Sequence, residues 1–323
     1  MDQLAKIFRF IWLHFLMLSF VGMNFHSAYA SVLVASPVPI QGGHDIAKSH
    51  MVPSSAIGNI RPDNSVAGHN VYMDRAANGV PVVNINNRNG AGVSHNKFVD
   101  FNVGAGGVVI NNSKDLLNST IGGAVQGNSN LHTSARAIIN EVTGSGRSYI
   151  NGTQEILGMK ADYILANPNG ISINGGDFIN ANRAAFTTGR VVLDSLGNLD
   201  KLVVEKGNIE ILGRELNVKD LDYFDIIART VTINTKIHAG SEARIITGKG
   251  ELNVKDEKFT SANNPAAPSV SIDSSHLGGL YAGRIRLISN ENGVGVNLPD
   301  MNSSSGDIEI SASGKIVHRK RIS

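Results

Sequence analysis

The stretch "ILANPNGISINGGDFINANRAAFTTGR", residues 164–190, decides the fold. A strand-like run ends at Asn167-Pro168-Asn169-Gly170, restarts as Ile-Ser-Ile-Asn, ends again at Gly-Gly, and restarts a third time. Asn, Pro, Asn and Gly are each favoured at their places in a four-residue turn, and the proline also keeps the residue before it extended. The stretch therefore predicts short strands joined by strongly specified corners.

The same pattern continues along the chain. Short runs rich in Val and Ile recur from "VPVVNIN" (80–86) to "GDIEIS" (306–311), and each is closed by Gly, Asn or Asp. After the N-terminal segment, no stretch places apolar residues at helical spacing between helix caps. The 35 glycines, with asparagine almost as frequent, suit a chain that turns often. We predict an all-β protein with little helix.

The spacing of these runs indicates a repeat. "TTGRVVL", "IARTVTI" and "YAGRIRL" align on Arg190, Arg229 and Arg284, and "GISI" aligns with "GNIEI" at a similar interval. We interpret a period near ~40 residues as two solenoid turns, which gives about ten to twelve coils after residue 80. Ile and Val would fill the interior, with asparagine ladders at the corners. The alternative is an antiparallel sandwich, although hairpin signals between paired runs are few.

The N-terminus carries an export signal. Basic residues, the apolar run "FIWLHFLMLSFVG" and the small residues of "AYA" predict a Sec signal peptide, residues 1–30, cleaved before Ser31. An uncleaved anchor is the alternative, but His14 and Asn24 interrupt a short apolar run. The absence of cysteine fits an exported bacterial chain that crosses membranes unfolded. A net charge of +2 predicts no nucleic-acid partner.

Three ordered segments carry a family resemblance. They are "GVSHNKFVDFNVGAGGVVINNS" (92–113), "IGGAVQGNSNL" (121–131) and residues 135–189, which include the opening stretch. In this order they resemble the N-terminal secretion domain of two-partner secretion exoproteins (TpsA type), the filamentous haemagglutinin and haemolysin family. The resemblance covers about residues 31–290.

That family has two short motifs, Asn-Pro-Asn-Leu and Asn-Pro-Asn-Gly-Ile. The first appears with serine in place of proline, as Asn128, Ser129, Asn130 and Leu131. The second is complete, as Asn167, Pro168, Asn169, Gly170 and Ile171. The resemblance implies that both motifs are turns recognised during export by a transporter. Because serine lacks the fixed φ of proline, we expect the first turn to be less preorganised.

The resemblance also implies a fold and partners. The fold is a right-handed parallel β-helix (solenoid) with an N-terminal cap sheet and extra-helical β-hairpins. The partner is an outer-membrane transporter of the TpsB type, whose periplasmic POTRA domains recognise the unfolded or partly folded segment. The exoprotein would be an adhesin or haemagglutinin, a haemolysin or a contact-dependent toxin, secreted or held at the bacterial cell surface. Host cell-surface receptors or glycans are a further class of partner, and a direct adhesive role for this chain itself stays open.

We expect three segments. Residues 1–30 are the signal peptide, and 31–300 form the two-partner secretion (haemagglutinin activity-type) domain. Residues 301–323 are either a last partial coil or the truncated start of an exoprotein repeat region. The final "GKIVHRKRIS" is strand-like and then basic, which fits a truncated gene or a separately encoded secretion domain.

An enzyme is the alternative from a different class. Secreted β-helical polysaccharide lyases and hydrolases use clustered carboxylates, and Asp220, Asp222 and Asp225 are the nearest candidates. Their interleaved aromatic residues favour an ordinary coil edge. The run "GSGRSYING" (144–152) lacks the Gly-Lys-Ser/Thr ending of a phosphate loop, and no histidines have metal-ligand spacing. We therefore expect no catalytic residue, metal or cofactor.

Overall fold

The computed structural model describes residues 58–262, 266–274 and 277–318. Every helix or strand within these ranges is a β-strand, in agreement with the predicted all-β class. Within the same ranges there is no helix long and apolar enough to cross a membrane. The predicted signal peptide lies outside the described residues.

The strands are short and closely spaced. In chain order they are β1 (Ile60–Pro62), β2 (Tyr72–Arg75), β3 (Pro81–Asn84), β4 (Val93–Phe101), β5 (Val108–Asn112), β6 (Leu117–Ser119), β7 (Gly123–Val125), β8 (Ala137–Val142), β9 (Ser148–Ile150), β10 (Gln154–Gly158), β11 (Ala161–Ala166), β12 (Ile171–Ile173), β13 (Phe178–Ile179), β14 (Ala181–Thr187), β15 (Arg190–Leu193), β16 (Leu199–Val204), β17 (Asn208–Ile211), β18 (Leu216–Val218), β19 (Tyr223–Ala228), β20 (Thr230–Ile233), β21 (Lys236–Ala239), β22 (Glu242–Thr247), β23 (Gly250–Asn253), β24 (Phe259–Ser261), β25 (Val270–Ser274), β26 (Gly279–Ala282), β27 (Arg284–Ser289), β28 (Gly295–Leu298), β29 (Asp300–Ser303), β30 (Ile308–Ala312) and β31 (Ile316–His318).

The chain visits three faces in turn. The first face is the sheet β1-β4-β8-β11-β14-β19-β22-β27-β30, and the second is β9-β12-β17-β20-β25-β28-β31. The third face consists of two sheets, β2-β3-β5-β10-β13 and β18-β21-β26-β29. Neighbouring strands on these faces are parallel, except for the two pairs at the N-terminal end. A chain that repeatedly circles three parallel sheets is a β-helix, so the solenoid prediction is confirmed and the sandwich alternative is wrong.

Identical or similar side chains stack in register through the interior. On the second face the stack joins four successive coils through Ile171, Ile209, Val231 and Ile272. All four are buried. Aromatic rings form a second stack, with ring centroids 5.3, 5.9 and 6.1 Å apart along Tyr163, Phe178, Phe186 and Phe224. Burial of these apolar surfaces supplies the main driving force for stacking one coil on the next.

An N-terminal cap closes the first coil. Strand β1 runs antiparallel to β4, and β2 runs antiparallel to β3. Beneath them Phe98 and Phe101 pack edge to face at 4.9 Å, and both rings are buried. Antiparallel capping strands prevent the parallel sheets from ending in an open hydrophobic edge. This is the cap that the family resemblance implies.

Hairpins leave the coils at three places. The β6–β7 hairpin stands alone, whereas β15, β16, β23 and β24 join into one antiparallel sheet. This second sheet, called the cover sheet below, packs on the outer surface of the first face. Leu202 and Leu252 of the cover sheet lie with Ile227 and Ile246 of the first face in one buried cluster. The predicted extra-helical hairpins are therefore present, and one pair of them covers apolar side chains that would otherwise face water.

The interval of about 40 residues spans one coil, so the prediction that it holds two solenoid turns is wrong. Ile171 pairs with Ile209, so "GISI" and "GNIEI" lie in adjacent coils rather than two coils apart. The interval is long because the β15–β16 hairpin is inserted into that coil. Arg190 begins a cover-sheet strand, Arg229 lies between two faces, and Arg284 begins a strand of the first face. These three arginines are therefore not equivalent positions.

The number of coils was also overestimated. Eight strands of the first face, from β4 to β30, are stacked in parallel within the described residues. The residues of the inserted hairpins do not contribute to coils, so the chain forms fewer coils than a regular solenoid of the same length. The segment after residue 300 nevertheless continues the same architecture, because β29, β30 and β31 each extend one of the faces.

Asparagine ladders are present, although they lie along strands as well as at corners. Asn111 Nδ2 donates to Asn84 Oδ1 at 2.8 Å, and Asn96 Nδ2 lies 3.3 Å from Asn140 Oδ1. Each pair is in register on neighbouring strands, and all four side chains are buried. Amide side chains can donate and accept at once, so they connect one coil to the next without leaving a charge in the core.

Candidate functional site

The second motif forms the corner between β11 and β12. The N–H of Gly170 donates to the carbonyl of Asn167 at 3.0 Å, which closes a four-residue turn. The N–H of Asn169 donates to Oδ1 of Asn167 at 2.9 Å, so the side chain reinforces the same turn. Gly170 has φ +107°, and a Cβ there would lie 2.8 Å from the carbonyl oxygen of Asn208. A side chain at position 170 would therefore strain the corner, and the turn before it is closed by one backbone and one side-chain hydrogen bond.

Asn167 also connects neighbouring coils. Its Nδ2 donates to the carbonyl of Gly146 at 3.0 Å and to Oγ of Ser148 at 2.9 Å, both in the preceding coil. Its N–H donates to the carbonyl of Thr187 in the following coil at 2.8 Å. The side chain is fully buried. A single asparagine therefore holds three coils at this corner.

Asn169 repeats that arrangement nearer to the surface. Its Nδ2 donates to the carbonyl of Gly144 at 2.7 Å, and its Oδ1 accepts from Nζ of Lys206 at 3.1 Å. The glycine-rich run 144–152, which superficially resembled a phosphate loop, instead supplies carbonyl oxygens to this corner. Gly144 and Gly146 accept the two amide groups of the motif.

The first motif forms a corner with the same hydrogen bonds. The N–H of Leu131 donates to the carbonyl of Asn128 at 3.1 Å, and the N–H of Asn130 donates to Oδ1 of Asn128 at 3.0 Å. Asn128 Nδ2 donates to the carbonyl of Ile85, in the preceding coil, at 2.9 Å and to the carbonyl of Asn111, in its own coil, at 3.0 Å. Serine in place of proline therefore does not prevent this turn from forming.

The first corner also touches the cap. Asn130 Nδ2 donates to the carbonyl of Asn70 at 2.7 Å, and Oγ of Ser129 lies 3.1 Å from the hydroxyl of Tyr72 in β2. Leu131 is buried in the interior. The first corner thus connects the N-terminal cap to the β-helix, whereas the second corner connects successive coils of the β-helix to one another.

We expect Ser129→Pro to be tolerated. The N–H of Ser129 makes no hydrogen bond within the described part of the chain, so proline removes only the exposed contact with Tyr72. By restricting the unfolded chain it should raise the free energy of unfolding by about 0.4–1 kcal/mol, measured by urea denaturation. The reciprocal change Pro168→Ser should lower it by a similar amount. A Ser129→Pro protein that fails to fold would contradict this account of the first turn.

Both corners use the polar atoms of their asparagines internally. Asn128 and Asn167 are buried, while Ser129 is exposed and Pro168 and Asn169 are half-buried. A partner could contact the amide groups of all four asparagines only in a chain whose coils have not yet closed. The folded corner offers mainly the residue between the two asparagines.

The three candidate carboxylates of an enzyme are not brought together. Asp225 is buried on the outer surface of β19, where Arg244 binds it through Nε at 3.0 Å and Nη2 at 3.1 Å, and Arg183 lies at 3.4 Å. Asp220 and Asp222 are exposed. Burial alone would lower the pKa of Arg244, but the charge of Asp225 raises it on balance. Asp225 lies within β19 and is thus part of an ion-pair ladder, and the coil-edge interpretation of "KDLDYFD" fits only the exposed Asp220 and Asp222.

No group of three or more His, Asp or Glu residues is placed to hold a metal ion in residues 58–262, 266–274 and 277–318. The charged residues of this region pair with one another instead. Glu141 illustrates this: burial alone would raise its pKa, but a hydrogen bond to His95 at 2.9 Å and the nearby Lys97 lower it on balance.

Comparisons with known proteins agree with this architecture. The family model "TPS secretion domain" matches residues 58–318. The 16S rRNA endonuclease CdiA of Enterobacter cloacae is 45% identical over 251 residues, and a tRNA nuclease CdiA of Escherichia coli is 45% identical over 248. The tRNA nuclease CdiA-2 of Burkholderia pseudomallei is 37% identical over 259 residues. These matches cover 77%, 76% and 78% of this chain but only 8% of each relative.

A solved structure matches as well. The crystal structure of the filamentous hemagglutinin secretion domain superposes with a TM-score of 0.70 at 30% sequence identity. The match covers 80% of this chain and 99% of that one. The nuclease activities in the names of the relatives are properties of proteins far longer than the matched segment.

Proposed function

This chain belongs to the family of TPS secretion domains found in exoproteins of the CdiA and filamentous haemagglutinin type, and we propose that its two asparagine corners control its export. Membership of this family accounts for the fold of the chain and for its general role in two-partner secretion. The observation that supports the finer proposal is the shared geometry of residues 128–131 and 167–170. The two motifs differ at their second and fourth residues, yet they form the same turn, and the side chain of each first asparagine bonds to the preceding coil.

The proposed partner is a cognate outer-membrane transporter of the TpsB type. Its periplasmic POTRA domains would bind the chain before the coils close, when the amide groups of Asn128, Asn130, Asn167 and Asn169 are accessible. Once outside, each corner would close as its coil stacks on the previous one, and the amides would then be hydrogen-bonded within the domain. Folding would engage these amide groups in hydrogen bonds within the domain. A folded domain would therefore not compete with unfolded chain for binding to the transporter. Conversion of recognition groups into core contacts favours export in one direction.

We also propose the wider setting. A Sec signal peptide at 1–30 would deliver the chain to the periplasm, and the domain would span residues 31–300. The exported product would be an adhesin, a haemolysin or a contact-dependent toxin, and the CdiA relatives favour the toxin. Residues 58–318 would act as a targeting module and leave any catalytic activity to other parts of such proteins.

Binding to the isolated periplasmic domains tests the proposal. Mature chain freshly diluted from urea should be captured by immobilised POTRA domains of the cognate transporter, and chain refolded beforehand should bind at least about tenfold more weakly. Unfolded Asn169→Ile should also bind less than unfolded wild type, because the variant lacks an amide that the transporter would contact. Asn118→Ile, in an exposed strand of the β6–β7 hairpin, is the matched control. Equal capture of folded and unfolded wild-type chain would contradict the proposal.

A further inference from the structure

A groove of about 300 Å³ lies on the outer surface of the third face, away from both corners. Its floor is formed by β21 and β26, and its walls come from the turns before β18 and around residue 278. The lining residues used below are Glu215, Lys236, Tyr281 and Asp300, with Asn234 and Thr235 at one side. This volume is at the lower end of the range that holds small organic ligands.

The groove contains an aromatic platform. The rings of Tyr281 and His238 are nearly parallel, with centroids 5.0 Å apart and an interplanar angle of 14°. The Tyr281 ring leans across Gly279, where a Cβ would come within 2.8 Å of the ring carbon Cε2. Glycine is thus the residue that leaves room for the ring edge beside the strand backbone. One face of the Tyr281 ring packs on His238, and the other can present a C–H-binding surface next to polar groups.

Hydrogen-bonding side chains surround that platform. Glu215 accepts from Nζ of Lys236 at 2.9 Å, and its other oxygen lies 3.2 Å from Nε2 of His238. Glu215 is 52% exposed and Lys236 is 43% exposed, so both retain access to a ligand. The hydrogen bond from Lys236 lowers the pKa of Glu215 further below neutral pH, so this group acts as a carboxylate acceptor. Asp300 adds a second carboxylate to the lining of the groove.

We propose that this groove binds a neutral saccharide. Its two carboxylates and one ammonium group nearly balance, so it favours neither polyanions nor polycations. Its strands are internal to the sheet, with their backbone groups already paired on both sides, so an extended peptide cannot add a strand there. What the groove offers is one aromatic face and alternating donors and acceptors, which match the C–H faces and hydroxyl groups of a hexose.

The proposed site is independent of the proposed export role. Neither corner contributes to the groove, so a groove variant should be secreted like wild type, and a secretion defect would not affect saccharide binding by purified protein. An experiment can therefore refute either proposal without affecting the other.

An oligosaccharide array tests the inference. Folded mature chain should bind neutral oligosaccharides of glucose, galactose, mannose or N-acetylglucosamine in preference to sulfated or sialylated ones. Tyr281→Ala should weaken binding to the best neutral probe by roughly tenfold, while Tyr281→Phe should retain it because the ring remains. Gly279→Ala should also weaken it by displacing the ring. Tyr149→Ala is the matched control, since Tyr149 is a half-buried tyrosine of the second face.

The outcomes separate the alternatives. A neutral probe whose binding falls with Tyr281→Ala and Gly279→Ala, but not with Tyr149→Ala, supports the groove, provided that urea denaturation shows all variants folded. Binding only to acidic saccharides, binding only to a peptide array, or binding to none of the probes would overturn the proposal. Equal binding by Tyr281→Ala and Tyr149→Ala would overturn it as well.

Discussion

Replacing Asn167 by alanine should lower the free energy of unfolding by about 3 kcal/mol, because its fully buried side chain makes hydrogen bonds to Gly146, Ser148 and Asn169 that alanine cannot make. The variant leaves the carbonyl of Gly146 without the donor that lies 3.0 Å away and removes the acceptor for the N–H of Asn169. Urea denaturation of the mature chain, followed by circular dichroism, measures the change. Asn118→Ala, at an exposed position, should stay within about 0.5 kcal/mol of wild type.

Asn167→Asp refines that experiment. Aspartate retains an oxygen for the N–H of Asn169 but replaces the amide donor with a carboxylate facing the carbonyl of Gly146. If bonds between coils dominate, Asn167→Asp should lose most of the stability that Asn167→Ala loses. If the local turn dominates, it should remain near wild type. Asn167→Ala no more destabilising than Asn118→Ala would contradict the structural role of the corner altogether.

The fold could be predicted because its signals are local. Val- and Ile-rich runs closed by Gly and Asn specify short strands and corners, and Asn167-Pro168-Asn169-Gly170 specifies its own turn. The serine of the first motif raised an expectation of a looser turn. The hydrogen bonds of that turn come from the two flanking asparagines, which the sequence retains, so its geometry survives the loss of proline.

The long-range features could not be predicted from local signals. The interval between Ile171 and Ile209 resembled two coils because a hairpin of the cover sheet was inserted into one, and sequence spacing does not distinguish these cases. The carbonyls of Gly144 and Gly146 as partners of the second motif were also missed. The glycine-rich composition of 144–152 was visible, but backbone acceptors carry no residue-specific signal.

The ion pair of Asp225 could not be predicted from the sequence either. Its partner Arg244 lies on the next strand of the first face, in register with it, so the pair depends on correct coil alignment. Of the three carboxylates that are close in the sequence, Asp225 is buried and paired on β19, whereas Asp220 and Asp222 lie exposed in the turn before that strand. The groove around Tyr281 arises in the same way, from residues brought together by four different strands or turns.

The central claim is that this domain directs export through a dedicated transporter, and release of protein into the medium tests it most directly. The complete chain should be expressed in a bacterium with and without its cognate outer-membrane transporter, and the fraction in the medium measured by immunoblot. Because the outer membrane blocks passage of a chain that has no transporter, we expect nearly all detectable release to require it. Asn169→Ile should reduce release strongly even with the transporter present, whereas Asn118→Ile should not. Equal release with and without the transporter would contradict the account.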